Sequence, residues 1–325
     1  MNAAARTALF AAGVAVAFGA AFGVGRAADL GMPGADRPAG VTAEDGMAGH
    51  DGADDAAVGH DTPDGDATGH GSSHAEEAAD ALPGGLQVAQ DGYRLVLDHT
   101  RAAPAQQAPL AFRIIGPDNT PLKGYTRTHD KDLHLIAVRR DLTGFQHVHP
   151  QLGREGTWTT PVDLTAGTWR VFADFDPAGE VSPMTLGTDL LVSGSFEPQP
   201  LPEQSATATV DGYTVTLKGS LSTGTDSQLT LSVSRDGRPV TDLQPYLAAY
   251  GHLVALRQGD LAYLHVHPDG EPGDGRTKAG PDIVFHTTAP SAGSYRLFLD
   301  FKHGDVVRTA AFTLTAGKEA PAHGH

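Results

Sequence analysis

Six histidines fall into two sets with identical internal spacing: His134, His147 and His149, then His252, His265 and His267. In each set one histidine precedes a His-x-His pair by thirteen residues. Neutral imidazole offers one lone pair per ring and is the commonest protein ligand for transition metals. Three such rings brought to one point, with nitrogens ~2.0 to 2.1 Å from an ion, make a metal site. The chain has no cysteine, which excludes disulfides, thiolate zinc sites, iron–sulfur clusters, blue-copper centres and cysteine nucleophiles. Ligands of nitrogen and oxygen alone point to Cu(II) or Zn(II), with Ni(II) also compatible.

The elements that must position these rings read as strands. His134 to Arg139 matches His252 to Arg257 in pattern, and a turn follows each. If Gln258 and Gly259 form the tip of a hairpin, positions summing to 517 face one another. His252 then opposes His265, and His267 lies two residues along on the same face. An even-length loop near Asp141 to Thr143 gives the first set the same parity. Opposed Cβ atoms lie ~5 Å apart and diagonal ones ~7 Å, close enough for three imidazoles to share an ion. The same faces carry Ile136, Val138 and Phe145, or Val254, Leu256 and Tyr263, which read as core. Asp174 and Asp300 each interrupt an otherwise apolar strand and are the expected fourth ligands of their own repeats. His99, His129, His286 and His303 occur in one copy each and read as surface or satisfied residues.

A duplication organises the folded part. Asp91-Gly92-Tyr93 matches Asp211-Gly212-Tyr213, and Gly167 to Phe175 matches Gly293 to Phe301. Short alternating runs such as Tyr93 to Leu97, Trp169 to Phe175 and Leu229 to Val233 are bounded by Gly, Pro, Asp and Asn. With 40 Gly and 22 Pro, this pattern predicts an all-β chain: two tandem immunoglobulin-like antiparallel β-sandwich domains, 86–196 and 206–315. A Pro-rich linker, 197–205, separates them, and residues 316–325 read as a disordered tail.

Ahead of the repeats, Thr7 to Val24 carries no charge and lies between Arg6 and Arg26. Residues 1–27 therefore read as a membrane anchor, a single-pass helix, or as a cleaved signal peptide. Either reading exports the remainder, so the expected location is the outer side of the cell membrane, with secretion as the alternative. Residues 28–85 form an Asp/Gly/His-rich linker that lacks the apolar residues needed to fold. From Ala28 to Gly84 it holds 13 acidic residues against Arg37, a net of −12 out of −16 for the chain. His50, His60 and His70 recur in it every ten residues, either as part of a solvated spacer or as a loose metal-collecting arm. The acidic balance excludes a nucleic-acid partner that would need a clustered basic surface.

The motif Phe145-x-His147-x-His149-Pro150, with His134 upstream and Gly167-x-Trp169-x-x-x-Ala173-Asp174-Phe175 downstream, resembles the bacterial extracytoplasmic family called YtkA-like or heavy-metal-associated. Tyr263-x-His265-x-His267-Pro268 repeats it. The resemblance implies β-sandwich domains linked to copper handling, and CopC-type carriers share the general chemistry. Two other readings stand beside it. One is an immunoglobulin-like protein-interaction module whose histidines are structural. The other is a cupin-like metalloenzyme, since Gly259-x5-His265-x-His267-x3-Glu271 fits most of a cupin motif. No nucleophile elbow, phosphate loop or dinucleotide fingerprint suggests other catalysis, so the expectation is a metal-binding protein that is not an enzyme.

Overall fold

A computed structural model describes residues 82–264 and 266–317. The expected anchor, nearly all of the acidic linker and the terminal His323 and His325 lie outside these residues, as does His265. Among the described residues no helix is long and apolar enough to cross a membrane.

Two β-sandwiches follow one another. In the first, one sheet runs in the order Ala89–Gln90, Tyr93–Leu97, Ala105–Ile115, Trp158–Leu164, Gln151–Leu152. The facing sheet runs Arg101–Ala102, Met184–Val192, Gly167–Pro177, Leu133–Arg139, Gln146–Val148. The second sandwich repeats this plan, with Gly251–Arg257 and Gly293–His303 at the heart of the sheet that corresponds to the His134 sheet. The immunoglobulin-like all-β architecture expected from the alternation and turn signals is the one present. Two boundaries differ by a few residues. Gly84, placed by sequence in the linker, bridges to Tyr263, and the final strand, Val306–Ala316, runs past Thr315.

Alternation along the strands explains where the histidines go. In Leu133–Arg139 the odd positions, Leu133, Leu135 and Ala137, join Val171, Ala173 and Phe175 in the core of the first sandwich. The even positions face the other way, so Asp174, like Phe172, turns to the same side as His134, Ile136 and Val138. In the second repeat Leu253, Ala255, Leu297, Leu299 and Phe301 fill the sandwich core. His252, Val254, Leu256, Phe298 and Asp300 point out of it. A sheet face carrying this much apolar surface must be covered, and each repeat covers the other. Ile136, Val138 and Phe172 pack with Val254, Leu256 and Phe298 in a third hydrophobic cluster shared by both. At its centre Phe145 and Phe298 stack with ring centroids 4.0 Å apart. Continuous burial of six successive residues in both His134 and His252 strands is the signature of a strand covered on two faces.

The supposed core face of Ile136, Val138 and Phe145 is thus the seam between the repeats. The Pro-rich linker is tied to that seam: Leu201 packs against it, and the Gln199 amide donates to the Asp141 carboxylate at 3.0 Å. Replacing Phe298 by alanine should cost about 3 kcal/mol in a denaturant titration, because it opens a cavity in a core shared by two domains. A loss below about 1 kcal/mol, the range for exposed substitutions, would mean that the repeats do not pack through this face.

Candidate metal centre

The hairpin that presents the first trio has the expected parity and a loop centred between Asp141 and Leu142, whereas the second hairpin is shifted. Ile136 pairs with His147 and Leu135 with Val148, so one step further sets His149 beside His134. In the second repeat Leu256 pairs with Tyr263 and Ala255 with Leu264, a sum of 519 and not 517. The turn is a four-residue loop in which the Arg257 amide bonds the Ala262 carbonyl. The tip is therefore one residue later than Gln258-Gly259. With the expected parity, all three rings of the first set stay on the inter-repeat face.

There they converge. One nitrogen from each of His134, His147 and His149 lies within 4.8 Å of the other two. His134 Nδ1 is 3.1 Å from His147 Nε2 and 3.2 Å from His149 Nε2. Ligands on a tetrahedral ion at ~2.0 to 2.1 Å stand ~3.3 Å from one another, so these separations fit a shared ion.

The partners of the outward nitrogens fix which nitrogens carry protons. His134 Nε2 lies 3.0 Å from the Thr128 carbonyl, which can only accept, so Nε2–H donates there. His147 Nδ1 lies 2.9 Å from Asp300 Oδ2, and Nδ1–H donates to that carboxylate. Both side chains of this pair are 5 % exposed. With those protons committed, the inner nitrogens of His134 and His147 face each other at 3.1 Å. Only His149 can donate into the cluster, and it can satisfy one of them. A proton or a cation between the inner nitrogens of His134 and His147 would satisfy both. Protonation of His134 is resisted: burial, the largest influence, lowers its pKa to about 4. Burial, with the neighbouring His147 and His134, lowers that of His149 to about 2.

The Thr128 carbonyl is presented by a tight turn. Thr128 and Lys131 exchange backbone bonds of 2.9 and 3.2 Å, and the central residues His129 and Asp130 have φ of 51° and 61°. The second repeat builds the same device, with Leu247 and Ala248 at 54° and 59°, and its Tyr246 carbonyl accepts from His252 Nε2 at 2.9 Å. Left-handed backbone at residues other than glycine costs energy and persists where the surroundings enforce it. Here it aims a carbonyl at an imidazole and so sets the tautomer, as outer partners of metal ligands do. Neither turn carries the Asn-Gly or Asp-Gly signal that would mark it in the sequence.

His134, His147 and His149 meet. Asp300, expected to serve its own repeat, reaches across the seam to His147, while its Oδ1 accepts from Thr309 at 2.5 Å. Asp174, the carboxylate expected for the first set, accepts from Thr185 at 2.8 Å and lines a neighbouring cavity. Its place beside His147 is taken by Asp300 because the covering surface comes from the other repeat. His252 sits at the seam, its ring centroid 6.1 Å from that of His147. His267 is exposed, because the second repeat crosses to its other sheet earlier and pairs His267 with His286.

His129 was read as a surface residue, yet its ring lies 5.2 Å from His252 and 6.1 Å from His134. A left-handed turn residue gives no periodic signal, so nothing in the pattern marked it. His286 and His303 are satisfied by Asp226 and by Tyr213 with Asp242. Glu271, needed by a cupin arrangement, lies exposed in a turn tied by its own amide to Asp274. Met184 is buried in the first sandwich core.

The buried rings make metal-free stability depend on pH. Burial lowers His252, like His134, to about 4, whereas unfolded histidine titrates near ~6.5. Between these values the unfolded chain binds more protons, so stability falls as pH drops from about 6.5 toward 4. In chelator, the melting temperature should decline across that window, and a His134→Gln/His252→Gln variant should show a flatter profile. Equal slopes for the two proteins would contradict the assignment.

A sequence-family model described as a domain of unknown function (DUF8832) matches residues 87–189 and again 208–318. No curated protein matches the sequence. Among solved structures, similarity extends to FdeC, an Escherichia coli adhesin, at 13 % identity over 70 % of this chain and 65 % of that one, TM-score 0.22. InvD of Yersinia pseudotuberculosis aligns at 9 % identity over 73 % and 61 %, TM-score 0.24. Domains 5–6 of the S-layer protein SbsC align at 13 % over 69 % and 97 %, TM-score 0.20. The chain spans less than two thirds of the first two, and likenesses at these scores carry no argument about what it does. Matched over more than half its length, the chain belongs to the family of the domain of unknown function DUF8832 and carries that domain twice.

Proposed function

We propose that this protein binds a divalent transition metal, Cu(II) or Zn(II), through His134, His147 and His149, and acts as a buffer, sensor or carrier for it. The observation that carries the reading is the meeting of three inward imidazole nitrogens while the outward ones of His134 and His147 are committed to oxygen acceptors. Three protein ligands leave a position open on a four-coordinate ion, which suits exchange with a partner or small ligand better than permanent structural binding. The motif resemblance to the YtkA-like family and the apolar segment near the amino terminus favour an activity outside the cytoplasm, at the membrane or secreted.

Asp300 makes the site a joint product of both repeats. Its carboxylate accepts from Nδ1–H of His147 and so orients the ring with Nε2 toward the cluster, the outer-partner effect that is worth ~10- to 100-fold in metal affinity. Titration of the full chain with Zn(II) against a competing chelator should give one tight equivalent dependent on the trio. Asp300→Asn should weaken it by roughly 10- to 100-fold although the substituted residue lies in the other repeat. Affinity unchanged by a His147→Ala/His149→Ala variant would defeat the reading.

A second reading has its own observation. The His147–Asp300 bond joins the repeats directly, which suits an immunoglobulin-like interaction module in which the histidines fasten two domains together. The two readings part on added metal. A ligand at 100 times its Kd stabilises by ~2.7 kcal/mol, so a bound ion raises the melting temperature, while a purely structural cluster leaves it unmoved.

A further inference from the structure

Beside the trio stand two imidazoles that it does not use. His252 is the counterpart of His134 and is held the same way, with Nε2–H donated to a turn carbonyl at 2.9 Å. Its lone pair is therefore on Nδ1. The His129–His252 centroid separation, 5.2 Å, matches the 4.9 to 5.3 Å found within the trio. Rings that share a tetrahedral ion at ~2.0 to 2.1 Å have centroids ~5.2 Å apart. Both rings line a cavity of about 220 Å³ between the repeats. Asp132, Asp174 and His267 line it too, with Lys131 as the single lysine or arginine among the described residues that line it. His134 and His147 form part of the same wall.

We propose that this cavity is a second cation site, built on His252 of one repeat and His129 of the other, so that the protein holds a two-ion centre at its seam. The proposal rests on the reading of the trio as a metal site, and it replaces the idea of one isolated site in each repeat. Geometry limits how far apart the ions can be. The His252 centroid is 6.1 Å from that of His147 and 6.4 Å from that of His134. An ion sits ~3.2 Å from the centroid of each ring that binds it, so the two lie within ~12 Å of one another. Like charges at that separation repel, and the second ion binds more weakly than the first. Asp174 and Asp300, one from each repeat, supply compensating charge.

The test loads the full chain with Cu(II) and reads stoichiometry together with the electron paramagnetic resonance spectrum. Because histidines near both termini can also take copper, the differences between variants are decisive. The native chain should give a dipolar-broadened spectrum. His252→Ala and His129→Ala should each remove one equivalent and the broadening while keeping the spectrum of the trio-bound ion. His129 lies on a turn outside both sandwich cores, so its variant remains informative if His252→Ala fails to fold. A magnetically isolated ion, lost in His147→Ala/His149→Ala but indifferent to His129 and His252, overturns the two-ion centre and leaves the trio reading intact. Copper binding indifferent to all of these substitutions overturns both.

Discussion

Two imidazole nitrogens held 3.1 Å apart inside a protein need a proton or a cation between them. The opposition at His134 and His147 follows from where their protons went. One is given to the Thr128 carbonyl and the other to the Asp300 carboxylate. Those acceptors exist because a left-handed turn points a carbonyl inward and because a second domain lays a carboxylate over the first. The packing of the repeats and the chemistry of the site are thus one arrangement viewed at two scales.

Duplication explains how such a seam can arise. Each repeat has a sheet face with an apolar patch, a histidine fixed to a turn carbonyl and an aspartate on the adjacent strand, in register with it. A face of this kind is poorly suited to solvent. Two copies in one chain can cover each other, which buries both patches and brings each histidine and aspartate to the same interface. The repeats have since diverged: the first keeps His149 next to its sheet, and the second carries His267 away to the other sheet.

Much of this was legible in the residues. Period-two alternation and turn signals gave the sandwiches, and the thirteen-residue spacing with a His-x-His pair gave the trio. Parity put the three rings of the first set on one face, and a register off by two, as in the second hairpin, is an even slip that preserves the face while an odd one reverses it. What stayed hidden depends on contacts between distant segments. Nothing in local periodicity says that Ile136 and Phe298 bury one another, so the carboxylate at His147 was sought in Asp174 and found in Asp300. His129 was hidden for a related reason, since its role comes from a turn conformation and a neighbour 123 positions away in sequence, at His252.

The account is tested most directly by X-ray absorption on the full chain loaded with one equivalent of Zn(II), compared with the same measurement on His134→Gln and Asp300→Asn. Nitrogen scatterers at ~2.0 to 2.1 Å with the outer-shell pattern of three imidazoles, reduced in the first variant and retained at lower affinity in the second, are the predicted result. A shell of oxygen ligands that neither substitution alters would contradict it.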